Sequence, residues 1–278
     1  MNQLANNDHL SGRDRLIVAL DVPSHDEAVR LVQNLGNVSF FKIGLQLFLT
    51  GQVLDLIRTL REERDGKVFL DIKWGGDIVN TTSEFMQACI DSLIVKFITL
   101  IEARDSTITQ QTIDAGLAAR EAANVKYPHF LMVPYLSSLD SSDLNQTLGT
   151  KDVDRYILER GEAMLGLGCD GLIVSGDAIK LCRNKFGPGI DIVSPGVRPT
   201  WASRDDHKRF TTPSQAISMG ADYLVVGRPI IKASDPRSAA QRVIDEIDQE
   251  LEKPARNRST SSGGGTPQSY TLAAKGQH

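Results

Sequence analysis

The sequence predicts a single (β/α)8 barrel, on three observations. Eight short apolar runs recur along the chain, each followed by a polar turn and a longer segment of helical spacing. The runs are near-continuous in Val, Ile and Leu, as suits parallel strands buried on both faces. The rival, a doubly wound open sheet, usually carries a Gly-rich nucleotide turn after its first strand, and "LDVPSHDEA" has none. Strands alternating with helices imply right-handed crossovers, and eight such units close a barrel.

In chain order the runs are "LIVALD" (16–21), "SFFKIG" (39–44), "KVFLDIK" (67–73), "VKFITLI" (95–101), "HFLMVPYL" (129–136), "GLIVS" (171–175), "IDIVSPGV" (190–197) and "DYLVVGR" (222–228). Helix signals lie between them. "SHDEAVRLVQNL" opens with Ser24 as N-cap and Glu27 three residues on, a capping-box pattern. "TPSQAISMGAD" places Thr212 before Pro213 and ends at Gly220, a C′ glycine. Asp235 before Pro236 opens the last helix in the same way. The polar stretch 137–155 reads either as an active-site loop after strand five or as a solvated connection.

With 278 residues, 41% of them hydrophobic, the chain can fill either two ordinary domains or one large barrel. The barrel is expected over 14–252, with a flexible N-terminus over 1–13. Residues 253–278, rich in Gly, Ser and Thr, read as a disordered tail. A net charge of −4 gives no global basic field for nucleic acid or an anionic membrane. No window approaches the roughly 18 apolar residues of a membrane span. Three cysteines without CxxC spacing argue against a disulfide framework and structural zinc, and the polar N-terminus has no signal-peptide pattern. The expectation is a cytoplasmic protein with no metal or other cofactor.

Polar residues at strand C-terminal ends converge on one mouth of such a barrel. Asp21 ends run one, Lys42 lies near the end of run two, and Asp71 and Lys73 end run three. Ser138 follows run five. Two lysines and two aspartates aimed at one mouth form an alternating array in which each charge supports its neighbours' ionised state. Such an array suits decarboxylation: a substrate carboxylate meets a like charge at Asp71, and loss of CO2 leaves a carbanion beside the Lys73 ammonium. Lys73 then stabilises that charge and donates the proton. The competing reading is a buried ion-pair network that only fixes the barrel.

The end of the chain adds independent support. "VSPGVRP" (193–199) and "ADYLVVGRPI" (221–230) follow runs seven and eight, where such barrels often bind phosphate. Gly227 allows close backbone approach, and Arg228 can grip phosphate oxygens bidentately.

Together these segments resemble the orotidine 5'-phosphate decarboxylase family from about Asp14 to Glu252. The resemblance is carried by "LIVALDVPSHDEA", "FFKIGLQLF", "VFLDIK" with "DIVNT", "YLSSLD", "GCDGLIVS", "IVSPGVRP" and "GADYLVVGRPI". It implies a dimeric, cofactor-free barrel acting on orotidine 5'-monophosphate, with active sites at the subunit interface. It implies that Lys42, Asp71, Lys73 and Asp77 form the catalytic array, with Asp77, Ile78 and Thr81 entering from the partner subunit. By the same resemblance Asp21 holds a ribose hydroxyl and Ser138 reads the pyrimidine amide edge. Arg228 and the Gly227 amide bind phosphate, and Arg198 lies in the loop nearby.

The chain also departs from the family pattern. Three residues, Trp74, Gly75 and Gly76, separate Lys73 from Asp77 where the family has two. The extra residue either aims Asp77 away from the array or is absorbed by the paired glycines as a local bulge. "ITLIEA" lacks the family's histidine, Pro134 replaces a common threonine, and His207 stands in for a phosphate-loop glutamine. Two other functions compete: a sugar-phosphate enzyme of the same suprafamily, and a binding protein that kept the phosphate grip without the chemistry.

Overall fold

The structure, a computed structural model, describes residues 7, 9–75, 78–101, 106–135, 142, 152–202 and 211–253. Each apolar run forms a strand: β1 Leu16–Ala19, β2 Phe40–Gly44, β3 Lys67–Trp74, β4 Val95–Leu100, β5 His129–Met132, β6 Gly171–Ile173, β7 Asp191–Ser194 and β8 Tyr223–Val226. They pair in parallel and in sequential order, and β8 closes on β1 with Leu16 opposite Leu224.

The helices are α1 (Gly12–Arg15), α2 (His25–Asn34), α3 (Leu45–Phe48), α4 (Val53–Arg64), α5 (Val79–Asp91), α6 (Ser106–Ala122), α7 (Val153–Gly166), α8 (Ala178–Phe186), α9 (Pro213–Ser218), α10 (Arg228–Ile231) and α11 (Pro236–Leu251). Their starts follow the cap chemistry. Thr212 and Gln215 make a reciprocal capping box on α9, and Asp235 accepts from the Ser238 amide on α11. At α2 only half of the expected box forms, with Ser24 accepting from the Glu27 amide. Gly220 follows α9 with φ +101°, the left-handed turn a C′ glycine supplies without strain.

Side-chain alternation divides the core in two. Outward-facing strand residues such as Val18, Phe41, Leu70 and Ile98 pack under the helices. Inward-facing Ile17, Phe40, Phe69, Phe97, Leu131 and Tyr223 fill the barrel. Phe97 sits 5.4 Å from Phe40 and 4.9 Å from Tyr223, ring centre to ring centre, so the lumen is packed rather than open.

Residue 14 falls inside α1, and ordered contacts reach back to Asn7. Asp191, almost fully buried at the start of β7, holds His129 Nδ1 at 2.6 Å with one carboxylate oxygen. Its other oxygen accepts from Asn7 Nδ2 at 3.0 Å. Arg15 donates to the carbonyls of Asn7, Leu10 and Asp222. A buried carboxylate needs donors, and the N-terminal segment supplies one. Of the expected tail, 253–278, residues 254–278 lie outside the described residues.

Candidate active site

The alternation that packs the lumen also builds the mouth. Two residues above Phe40 is Lys42; two above Phe69 is Asp71; two above Phe97 is Thr99. Polar side chains therefore sit directly on an aromatic floor, on three successive strands, with Asp21 just past the end of β1. Lys42 Nζ lies 3.0 Å from Asp21 Oδ1 and 3.4 Å from Asp71 Oδ2. Lys73 Nζ lies 3.0 Å from Asp71 Oδ1. The order along the mouth is Asp21, Lys42, Asp71, Lys73, alternating in sign.

Exposure grades along this row. The side chains of Lys42 and Asp71 are 11% and 19% exposed, against 44% for Lys73 and 54% for Asp21. The central pair is thus largely buried, while the outer two are open to solvent. Burial pushes the Asp71 carboxyl up, but the ammonium groups of Lys42 and Lys73 and the Thr99 hydroxyl outweigh it and hold the group below its ordinary value.

Lys73 reaches the mouth through an irregular strand. Leu70 pairs with Ile98 and Trp74 with Leu100, so four residues of β3 span two of β4, and Lys73 takes φ +50°. The bulge at Asp71–Lys73 lies upstream of the paired glycines; how the residue added before Asp77 is accommodated falls on Gly76 and Asp77, outside the described residues. The ladder resumes at Trp74, whose carbonyl accepts from the Ile101 amide and whose ring stacks on Phe85 at 4.5 Å. Gly75 serves close packing instead: a Cβ there would stand 2.7 Å from Ile101 Cγ2.

The mouth opens into a cavity of about 200 Å³ lined by Lys42, Asp71, Lys73, Val133, Tyr135 and Ser175, among others. Gly227 borders Asp21, since a Cβ on it would lie 3.8 Å from Asp21 Oδ2. Arg228 follows at the start of α10. Arg198, 8% exposed, sits in the loop after β7 and hydrogen-bonds through its amide to the Thr211 carbonyl. Arg198 and Arg228 line a second, open cavity of about 510 Å³.

The structure thus brings Asp21, Lys42, Asp71 and Lys73 together, and places Arg198 and Arg228 on a common cavity. Ile78 and Thr81 are exposed at the start of α5. Asp77, Ser138 and His207 lie outside the described residues, as does most of the polar stretch 137–155; its last residues cap and open α7. Thr99, Gly44 and Tyr135 also belong to the mouth and were not singled out in the sequence. Thr99 carried one usable signal, its place two residues after Phe97 on an otherwise apolar strand.

Fold and site together define a (β/α)8 barrel that presents an alternating lysine–aspartate array beside an arginine-lined cavity. The chain belongs to the Orotidine 5'-phosphate decarboxylase / HUMPS family, whose family model matches residues 14–243. It is 41% identical over 239 residues to an orotidine 5'-phosphate decarboxylase of Rhodopseudomonas palustris (strain BisB5), covering 85% of this chain and 96% of that protein. Identity to the enzyme of that name from Methylococcus capsulatus is 40% over 236 residues, covering 84% and 92%. The crystal structure of orotidine 5'-phosphate decarboxylase from Lactobacillus acidophilus matches with a TM-score of 0.68 at 28% identity, covering 84% of this chain and 98% of that one.

Proposed function

We propose that this protein decarboxylates orotidine 5'-monophosphate to UMP and CO2, as a cytoplasmic enzyme of pyrimidine synthesis. The observation that carries the proposal is the ion-paired row Asp21–Lys42–Asp71–Lys73 at the mouth. The substrate carboxylate stands against Asp71, so the ground state meets a like charge. The bond from the ring carbon to the carboxylate breaks, CO2 leaves, and the electron pair stays on that carbon beside Lys73. The ammonium stabilises the pair and delivers its proton to the carbon. Asp21 holds a ribose hydroxyl, Ser138 the pyrimidine, and Arg228 the phosphate with the Gly227 amide, Arg198 and His207.

The working unit is a homodimer in this proposal, with Asp77, Ile78 and Thr81 completing the partner's site. Exposed apolar side chains support it: Leu45, Leu49, Leu54, Ile78, Val79 and Ile101 are 45–83% exposed on or just beyond the elements around β2, β3 and β4. Sedimentation at micromolar concentration tests it, and a monomer would remove Asp77 from the shared site.

For the reaction, purified protein is mixed with orotidine 5'-monophosphate in chelator, and loss of the pyrimidine carboxylate is followed by absorbance. Turnover that vanishes in Lys73→Ala is expected. Turnover of a hexulose phosphate instead would favour the sugar-phosphate branch, and UMP binding without turnover would leave a binding protein. Near-parental activity in Lys73→Ala would sink the proposed proton donor.

A further inference from the structure

The cavity at the phosphate end is larger and more basic than one phosphate monoester requires. It holds about 510 Å³ against about 200 Å³ at the mouth. Arg198, Arg228, Lys232 and Arg242 line it, and Asp235 is the one carboxylate among its described lining residues. This concentration of cations occurs on a chain whose net charge is −4. Two arginines and a backbone amide suffice for a monophosphate, so Lys232 and Arg242 are surplus to that task.

Both are placed for a second anion. Lys232, the C-cap of α10, follows Arg228 by four residues, a spacing that sets the two Cβ atoms about 6 Å apart on one side of the turn. Arg242 projects from α11, and its guanidinium carbon lies 4.3 Å from the centre of the Trp201 ring, which also lines the cavity. A guanidinium stacked on a ring keeps its in-plane N–H donors free for an anion. The Asp235 carboxylate is engaged as the cap of α11, accepting from the Ser238 amide at 3.0 Å. Neither Lys232 nor Arg242 forms an ion pair with a carboxylate among the described residues.

We propose that this cavity contains a second anionic subsite, beyond the phosphate grip, which takes the outer phosphoryl group of a nucleoside diphosphate. The proposal rests on Arg228 and Arg198 holding the inner phosphate. A nucleotide one phosphate longer than the product then binds in the substrate's place and competes with it. Both added cations are exposed, so their joint effect is about tenfold at low ionic strength and shrinks as salt rises.

UMP and UDP are titrated against the parent and against Lys232→Ala/Arg242→Ala, with turnover of orotidine 5'-monophosphate as a parallel readout. Circular dichroism establishes that both proteins are folded. UDP should bind the parent about tenfold tighter than UMP, and the double variant about equally, while UMP affinity changes less than about twofold. No UDP preference in an active parent, or a preference that survives both substitutions, overturns the subsite and leaves the decarboxylase proposal standing. A parent that turns over nothing overturns that proposal instead, and inorganic pyrophosphate then probes the cavity alone. Pyrophosphate bound by the parent and lost in the double variant upholds the subsite; equal affinity in both overturns it.

Discussion

Thr99 donates its hydroxyl hydrogen to Asp71 Oδ1 across 2.9 Å, from a strand position with no solvent exposure. That oxygen also receives Lys73 Nζ, while Oδ2 faces Lys42. The hydroxyl therefore fixes which carboxylate oxygen meets which lysine, and leaves Lys73 with ammonium protons to spare for a substrate. Thr99→Val keeps the shape and removes the donor. In the proposed reaction kcat should fall about tenfold with KM nearly unchanged, and Thr99→Ser should recover most of it. The hydroxyl is also one of the groups that lower the Asp71 pKa, so the acid limb of the pH–rate profile should move to higher pH in Thr99→Val. A residue that merely packs would leave that limb in place.

The same carboxyl ties stability to acid. Burial raises the Asp71 pKa, yet its two lysines and Thr99 lower it by more, so the native group lies below its ordinary value of 3.8. The unfolded chain then protonates at Asp71 before the native one does. The stabilisation is complete above the ordinary carboxyl range and is lost as pH falls through the native value. Urea denaturation between pH 3 and 7 checks this: Asp71→Asn should show a flatter acid decline than the parent. Parallel declines would mean that other carboxylates carry the acid sensitivity.

Lys73 holds φ +50°, a left-handed conformation that costs a side chain with a Cβ about 1–2 kcal/mol. The bulge places the ammonium, so the strain serves position rather than stability. Lys73→Gly and Lys73→Ala should both lose turnover in the proposed reaction. The glycine variant should nevertheless be the more stable of the two by about 1 kcal/mol in denaturant titration, even though glycine usually weakens a strand. Equal stabilities would mean that the bulge relaxes once the lysine is gone.

All eight strands were legible because parallel barrel strands are buried on both faces and read as unbroken apolar runs. Lys42, Asp71 and Lys73 were legible for the opposite reason, as charges where an apolar run ends. Thr99 was hidden because a threonine inside a strand is ordinary β-propensity, and only the neighbouring Asp71 gives its hydroxyl a task. The bulge at Asp71–Lys73 was hidden for a related reason. Glycines advertise irregular backbone, whereas the irregular residue is Lys73, held at positive φ by the ladder resuming at Trp74. Asn7 could not be assigned to the fold from the sequence, because its partner Asp191 lies 184 residues away.

Cys89, Cys169 and Cys182 are buried and unpaired, and burial pushes their thiols up to about 12, 12 and 11 respectively. A thiol reacts as its thiolate, so none is poised for redox chemistry at neutral pH. The folded protein at pH 8 should release almost no colour from an aromatic disulfide reagent, and three equivalents in denaturant. Rapid reaction of even one thiol in the native state would show that its cover opens readily.

Gly44 separates the demands of folding from those of the site. Its φ of −98° and ψ of 179° are open to any residue, so glycine is not required by the backbone. A Cβ there would instead stand 3.3 Å from Lys42 Nζ and 3.5 Å from Asp21 Oδ1. Backbone entropy favours alanine, and the flexible lysine end can yield by a few tenths of an ångström, so Gly44→Ala should match or slightly exceed the parent in melting temperature. The displaced ammonium, however, sits between Asp21 and Asp71 in the array. Under the proposed function kcat/KM should drop about tenfold in Gly44→Ala, and about a hundredfold or more in Gly44→Val, whose branched side chain drives Lys42 from the row. Loss of activity at undiminished stability is the outcome that assigns Gly44 to the site; unchanged activity in both variants would mean that Lys42 has room the structure does not require.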